Sequence, residues 1–404
     1  MKGQHSFLSV TIAAGAILAL GFGVRGAQPL FISAINSHTA VGYATISLAF
    51  GIGQLMWGVA QPFAGAAADR WGPRPVMIAG ALLLAGATAA TPLASNAAGL
   101  VLLIGVLTAV GAGATALPLL VSVSNRWIAD AKRSVANGII NAGGSFGQFA
   151  LIPLAQLLIG LAGWQPALVL LGALGLLAVP LILFLTAGSP AAAPAPHATG
   201  ALPLTLRQAL SRAMGDRSFL LLNAGFFTCG FHVAFIATHL PGVVAFCGLP
   251  PSVGAWSLAV IGLFNIAGSL WIGKAIQRRR MKIALAWLYF ARAALIAAFL
   301  VAPKTELTFL LFGAGIGFTY LSTVPPTVGL VAKLHGARYV ATLFGVVMLS
   351  HQVGGFLGAW LGGKAFEATG SYDWMWWADI ALCLAAALVH LPIHEARVPA
   401  AAPA

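Results

Sequence analysis

The sequence predicts an all-α integral membrane protein: twelve transmembrane helices in two six-helix bundles, with both termini cytoplasmic. Three observations carry this prediction. Of the 404 residues, 60% are hydrophobic and 7% charged, more apolar surface than one soluble core can hide, so the solvent for most of the chain is lipid. Long apolar runs recur, and a crossing takes roughly 20 such residues in a helix because the bilayer offers backbone N–H and C=O groups no water. Polar motifs then repeat at an offset of about 208 residues, as they do in duplicated transporter halves.

In order, the runs cover residues 7–31, 41–63, 75–94, 98–123, 134–159 and 165–187, then 218–240, 252–273, 283–302, 307–331, 339–362 and 374–392. The first follows Met1-Lys2 but is too long for the apolar core of a signal peptide, and it is read as the first helix. Residues 1–187 make one bundle and 218–404 the other. Between them, 188–217 reads as a cytoplasmic linker: Ser189-Pro-Ala-Ala-Ala-Pro-Ala-Pro is extended and packs poorly, and a short basic amphipathic piece follows it.

Basic loops are retained on the cytoplasmic side. With the N-terminus inside, seventeen of the 21 Lys and Arg fall there, among them Arg126, Lys132, Arg133 and Arg278-Arg279-Arg280, whereas Lys304 and Lys364 lie outside and Arg25 and Arg292 lie within helices. This bias, with attraction to anionic lipid headgroups, accounts for the net charge of +13 and calls for no nucleic acid. Cys229, Cys247 and Cys383 are too scattered for a disulfide framework or metal site and read as packing residues. No nucleotide loop, metal-ligand cluster or nucleophile triad is present, so neither a cofactor nor enzymatic chemistry is expected.

The repeats align closely. Gly65-x3-Asp69-Arg70-x3-Arg74 answers to Gly273-x3-Gln277-Arg278-x3-Lys282; Gly21-Phe22-Gly23-Val24-Arg25 answers to Gly230-Phe231-His232-Val233-Ala234; Gly138, Gly147 and Phe149 answer to Gly345, Gly354 and Phe356. The first of these, Gly65-x3-Asp69-Arg70-x-Gly72-x-Arg74 between the second and third helices, resembles the signature of the major facilitator superfamily. The resemblance implies a major facilitator fold working by alternating access. Gly65, Asp69, Arg70, Gly72 and Arg74 would then form a conformational latch, since Asp69 can pair with basic groups and a helix N-terminus of the other bundle when the cavity opens outward. The second copy has Gln277 in place of the acid.

A narrower resemblance lies where Asn125-Arg126-Trp127 is followed by Lys132-Arg133-x2-Ala136-x-Gly138-x3-Ala142-Gly143-x3-Gly147. It is similar to monocarboxylate transporters and their oxalate/formate antiporter relatives, although small residues at four-residue spacing also simply let helices approach. Those families tend to carry an arginine in the eighth helix, where 253–273 has no Arg or Lys, and the antiporters a basic residue in the eleventh, where this chain has His351. A basic residue in the first helix does match, as Arg25. The resemblance further implies that the first, fourth, seventh and tenth helices line a cavity, the second, fifth, eighth and eleventh flank it, and the rest lie outside.

An ionisable side chain at the bilayer centre costs about 2.5–3.5 kcal/mol on insertion scales, which makes each a functional candidate. Arg25, His232, His351 and Arg292 lie inside helices, with Asp379 near the outer end of the twelfth; the other acids sit in loops or at helix ends. Buried cations without a midplane carboxylate suit a small organic anion and repel a cationic drug. Arg25 is the expected anion ligand, because a guanidinium grips a carboxylate with two charge-assisted hydrogen bonds and stays charged. His232 and His351 are candidates for both substrate contact and proton coupling; Arg292 reads as structural. Gln28, Asn141, Gln148, Tyr320 and Gln352 complete the expected substrate contacts, with Gln54, Asn265, Ser322 and Thr323 as further polar lining and Phe231 and Trp57 as apolar walls. Pro29, Pro118, Pro325 and Pro326 interrupt cavity helices. The chain is expected to work as a monomer in the cytoplasmic membrane, by proton symport or anion exchange. The alternative is a proton-driven drug exporter, but such proteins usually carry Gly-Pro in the fifth helix and an acid in the first or fourth, and this chain has neither.

Overall fold

The computed structural model describes residues 6–188, 205–336 and 339–395, and among them every regular element is helical. Eleven helices are long and apolar enough to cross a membrane: α1 (Phe7–Thr39), α2 (Tyr43–Trp71), α3 (Pro73–Leu93), α4 (Ala97–Ser124), α5 (Asp130–Ala162), α6 (Trp164–Thr186), α7 (Arg217–Phe246), α8 (Pro251–Ala275), α9 (Met281–Val301), α10 (Glu306–His335) and α11 (Val340–Thr369). A further helix, α12 (Asp373–His390), begins with Asp373, carries Asp379 within it and is not among the eleven. The basic amphipathic piece forms a short helix, Leu206–Met214, closed by a capping box between Thr205 and Gln208. The proline-rich tract 189–196, and with it most of the proposed linker, lies outside the described residues, as do Lys2, Arg338 and Arg397.

Helices outrun their apolar stretches. The motif expected in a loop after the second helix instead occupies the last two turns of α2, because nothing breaks the helix until Gly72, at φ 85, turns the chain and Pro73 opens α3. Lys132 and Arg133 likewise belong to the first turns of α5, not to the loop before it. There Arg133 pairs with Asp130 at 2.5 Å and donates to the carbonyls of Asn125 and Ile128, while the Trp127 indole donates to Leu185. The Asn-Arg-Trp and Lys-Arg motif thus fastens the α4–α5 turn. Several helices break along their length, among them α4 at Thr115–Ala116 ahead of Pro118 and α10 at 320–323 ahead of Pro325 and Pro326.

The repeat seen in sequence reappears in packing. A Cβ on Gly147 of α5 would strike the backbone of Ala19 on α1, and one on Gly354 of α11 would strike the backbone of Phe227 on α7; Gly138 and Gly345, one helical stretch earlier, both face open space. Backbones therefore touch within each pair, α1 with α5 and α7 with α11.

Between the two sets of six, α2 meets α11 and α5 meets α8. Gly51 packs on Phe356, Gly58 on Gln352, and Gly363 on Ser47. At the far end the Glu367 carboxylate accepts the Ala44 N–H at 2.7 Å, so an acid of α11 caps the first turn of α2. No side chain of α2's own N-cap residue, Gly42, can do so. Toward the basic loops the same helices part: Gly65, Gly138, Gly273 and Gly345 have nothing facing them. Among the described residues, the contacts between these helices lie from Gln352 toward the Glu367 end. A carboxylate at a helix N-terminus contributes about 0.3–1 kcal/mol, so Glu367→Gln raises the share of molecules open at that end about two- to fivefold. Spin-label distances across the two bundle ends measure this; an unchanged distribution would leave the cap without weight.

Candidate functional site

Arg25 sits on α1 just before a tight turn at Gln28–Phe31, half-buried where the bundles meet. Its Nη2 donates to Gln54 Oε1 at 3.0 Å and to the Gly53 carbonyl at 3.4 Å, and the guanidinium lies 5.0 Å from the centre of the Trp57 ring. Phe22 packs edge-on against the same indole. All these partners are neutral, and among the described residues Arg25 takes part in no ion pair. The arrangement is an oriented, uncompensated positive charge, steadied by a cation–π contact.

Facing α1 and α2 across the seam is the α10 break. Tyr320 is buried, its hydroxyl donates to the Val233 carbonyl at 3.0 Å, and it lies within electrostatic reach of Arg25. Asn265 on α8 stitches the seam: its amide nitrogen donates to Ser145 of α5 at 2.8 Å, and its oxygen accepts the Leu321 N–H at 3.0 Å. Gln352 is buried against Gly58 of α2, and neither of its amide atoms has a hydrogen-bond partner among the described residues. Gln148 packs between Gly26 of α1 and Gly262 of α8.

The structure therefore brings Arg25, Gln54, Trp57, Gln148, Tyr320 and Gln352 to one seam and sends other expected residues elsewhere. Gln28 turns back into its own bundle and donates to Thr88 of α3 at 3.2 Å. Asn141 is exposed on α5. His351 is buried against Phe226, its Nδ1 unpartnered, with the Cys229 thiol beside it. His232 aligns with Arg25 in the repeat, but its surroundings differ: it points to α12, where Nδ1 meets Asp379 Oδ2 at 2.7 Å with both side chains fully enclosed. Cys383, read from sequence as packing, lies with its thiol 3.7 Å from the other oxygen of Asp379. Asp69, Arg70 and Arg74 are exposed, with Arg70 over the Trp71 ring.

Sequence reasoning read Arg292 as structural without naming its partners, and it missed two pairings. Arg292 is the largest fully buried side chain; its Nη2 donates to the carbonyls of Thr319 and Tyr320 freed by the α10 break, and Tyr289 stacks beneath it at 5.1 Å. The prolines after the break were the available clue, since freed carbonyls need a donor. The His232–Asp379 pair joins residues 147 apart, and the Glu367 cap joins residues 323 apart; neither leaves a local trace. Among the described residues His232, Asp379 and Cys383 do lie close enough to share a metal ion, but all three are enclosed and Cys383 lies within reach of the Arg292 charge, which disfavours a cation there.

Comparison with known proteins agrees with this architecture. Monocarboxylate transporter 13 of Rattus norvegicus is 28% identical over 360 residues, covering 88% of this chain and 81% of that protein. The oxalate:formate antiporter of Oxalobacter formigenes is 29% identical over 175 residues, 43% of this chain and 41% of its own. The crystal structure of a bacterial homolog of the human lysosomal transporter Spinster shares the fold, with a TM-score of 0.73 at 18% identity over 97% of this chain and 95% of that one. The family profile described as Major Facilitator Superfamily matches residues 13–359. A multi-pass helical membrane protein built this way, with that profile along most of its length, belongs to the major facilitator superfamily of transporters.

Proposed function

We propose that the protein carries small organic carboxylates across the cytoplasmic membrane by alternating access, with Arg25 receiving the carboxylate. The observation that carries this reading is a guanidinium at the bundle seam whose partners are Gln54 and Trp57, with no protein carboxylate among the described residues to neutralise it. A charge left uncompensated in a low-dielectric seam favours a ligand of opposite sign. Tyr320 and Gln352 supply polar contacts from the second bundle, with Gln148 beside them, so a ligand on Arg25 would touch both bundles and favour their closure over it. His351 and His232, both buried, are the candidates for coupling. The printed names of the relatives, a monocarboxylate transporter and an oxalate:formate antiporter, point to the same class of cargo.

In this cycle, residues 1–187 and 218–404 move as the two bundles of a monomer, with both termini cytoplasmic. Asp69, exposed while the basic-loop face is open, engages the second bundle when that face closes. The test is a thermal-denaturation panel of acetate, lactate, benzoate, oxalate and succinate against tetraphenylphosphonium, in detergent. A ligand at 100 times its Kd adds about 2.7 kcal/mol to the folded state, so at least one carboxylate raises the midpoint by several degrees. Stabilisation by the cation alone would favour the drug exporter instead.

A further inference from the structure

We propose that the His232–Asp379 pair is the proton-binding site of the transport cycle, linked to the anion site through Tyr320; this rests on the carboxylate reading above. The pair is enclosed, with Nδ1 and Oδ2 2.7 Å apart, and among the described residues the second imidazole nitrogen, Nε2, has no partner. Asp379 lies within a helix, whereas Asp69, Asp130, Asp216, Glu306, Glu367 and Asp373 are at helix ends and Glu395, beyond the last helix, pairs with Lys333.

Every neighbouring element contributes to the charge around it. From α9 come Arg292 and Tyr289; from α12, Asp379 and Cys383; from α7, Cys229; from α10, Tyr320; from α11, His351, beside Cys229. Arg292 is always charged and has no carboxylate of its own. Arg292 reaches the pair through Cys383, whose thiol lies 3.7 Å from Asp379 Oδ1 and within reach of the guanidinium. Nε2 of His232 is the acceptor left open, and a proton taken up there adds positive charge to the enclosed cluster. That is costly in a low dielectric unless a negative charge arrives nearby.

Tyr320 connects the two places. Its carbonyl accepts from Arg292, its hydroxyl donates to the carbonyl of Val233, the residue after His232, and its phenol lies within electrostatic reach of Arg25. An anion on Arg25 therefore lowers the cost of the proton, and by reciprocity the proton tightens the anion. Proton and anion then travel together, which favours symport over exchange. His351, without an acid partner among the described residues, lacks the countercharge that makes such a site switchable.

The experiment measures acetate and lactate affinity of the purified full chain, by thermal shift, between pH 6 and pH 8, where both ligands stay ionised. In the parent protein affinity rises up to tenfold per pH unit toward acid, the linkage of one proton. In Asp379→Asn it varies less than twofold across the range. The His351→Gln protein, whatever its absolute affinity, keeps the parent slope, and Asp379→Glu restores a slope if Asn proves too poorly folded to measure. Anion binding that does not change with pH in the parent overturns the proton site and leaves the carboxylate reading standing. A slope lost in His351→Gln but kept in Asp379→Asn overturns it too. Absence of any carboxylate effect at every pH removes both.

Discussion

Replacing Arg25 by Gln abolishes carboxylate uptake in proteoliposomes while the protein still purifies as a monodisperse species. The substituted amide can still lie against Trp57 and donate a hydrogen bond, but the charge is gone. Truncating one partner of a desolvated charge pair costs about 2–5 kcal/mol, which is about 30-fold to several thousand-fold in affinity. Folding should barely change, because the groups that hold Arg25 are a side-chain amide and a carbonyl, Gln54 and Gly53, which can be satisfied within their own helix surroundings. Arg25→Lys keeps the charge and loses the planar fork, so it retains part of the activity. Arg292→Gln behaves differently: it strips the donor from the Thr319 and Tyr320 carbonyls and yields little folded protein. Uptake left intact in the Arg25→Gln protein would remove that residue from the binding role.

Gly354→Val destabilises the second bundle where α7 and α11 touch. The new side chain meets the backbone of Phe227, which belongs to a packed helix and cannot swing aside. Overpacking typically costs about 1–3 kcal/mol, and contact with main chain puts this case at the upper end. Gly147→Val against Ala19 should match it in the first bundle. Gly138→Ala and Gly345→Ala are the controls: both glycines face open space inside a helix, where Ala is favoured by up to about 1 kcal/mol. Denaturation midpoints in detergent separate the two classes, falling sharply for the first and holding or rising for the second. Equal effects would mean that the close approach of α7 and α11 is not what the glycine serves.

The fold was legible because lipid imposes two rules that leave marks in sequence: long apolar runs, and small residues where helices touch. Helix ends were less legible, since Asp69 and Arg70 are polar yet extend α2; hydropathy reports the solvent a residue prefers, not its backbone. At the site, Arg25 stood out as a charge in an apolar run, and Gln54, Trp57 and Tyr320 could be named beside it. What could not be read was the direction each side chain takes. Gln28 and Gln148 look alike in sequence, yet one bonds Thr88 inside its bundle and the other reaches the seam. The repeat also misled where it pairs Arg25 with His232, because duplicated backbones can keep their geometry while the side chains on them diverge.

The seam sets glycines of one half against side chains of the other, Gly51 on Phe356 and Gly58 on Gln352, and among the described residues the directed bonds that cross it are Glu367 to Ala44 and Asn265 to Ser145. Such a joint has little to unlock. Each hydrogen bond contributes on the order of 1 kcal/mol net, and the glycines leave the side chains packed on them a smooth backbone to slide from. A low barrier of that kind suits a machine that must change sides many times a second, and it leaves the bound cargo, more than the protein's own contacts, to decide when the turnover proceeds.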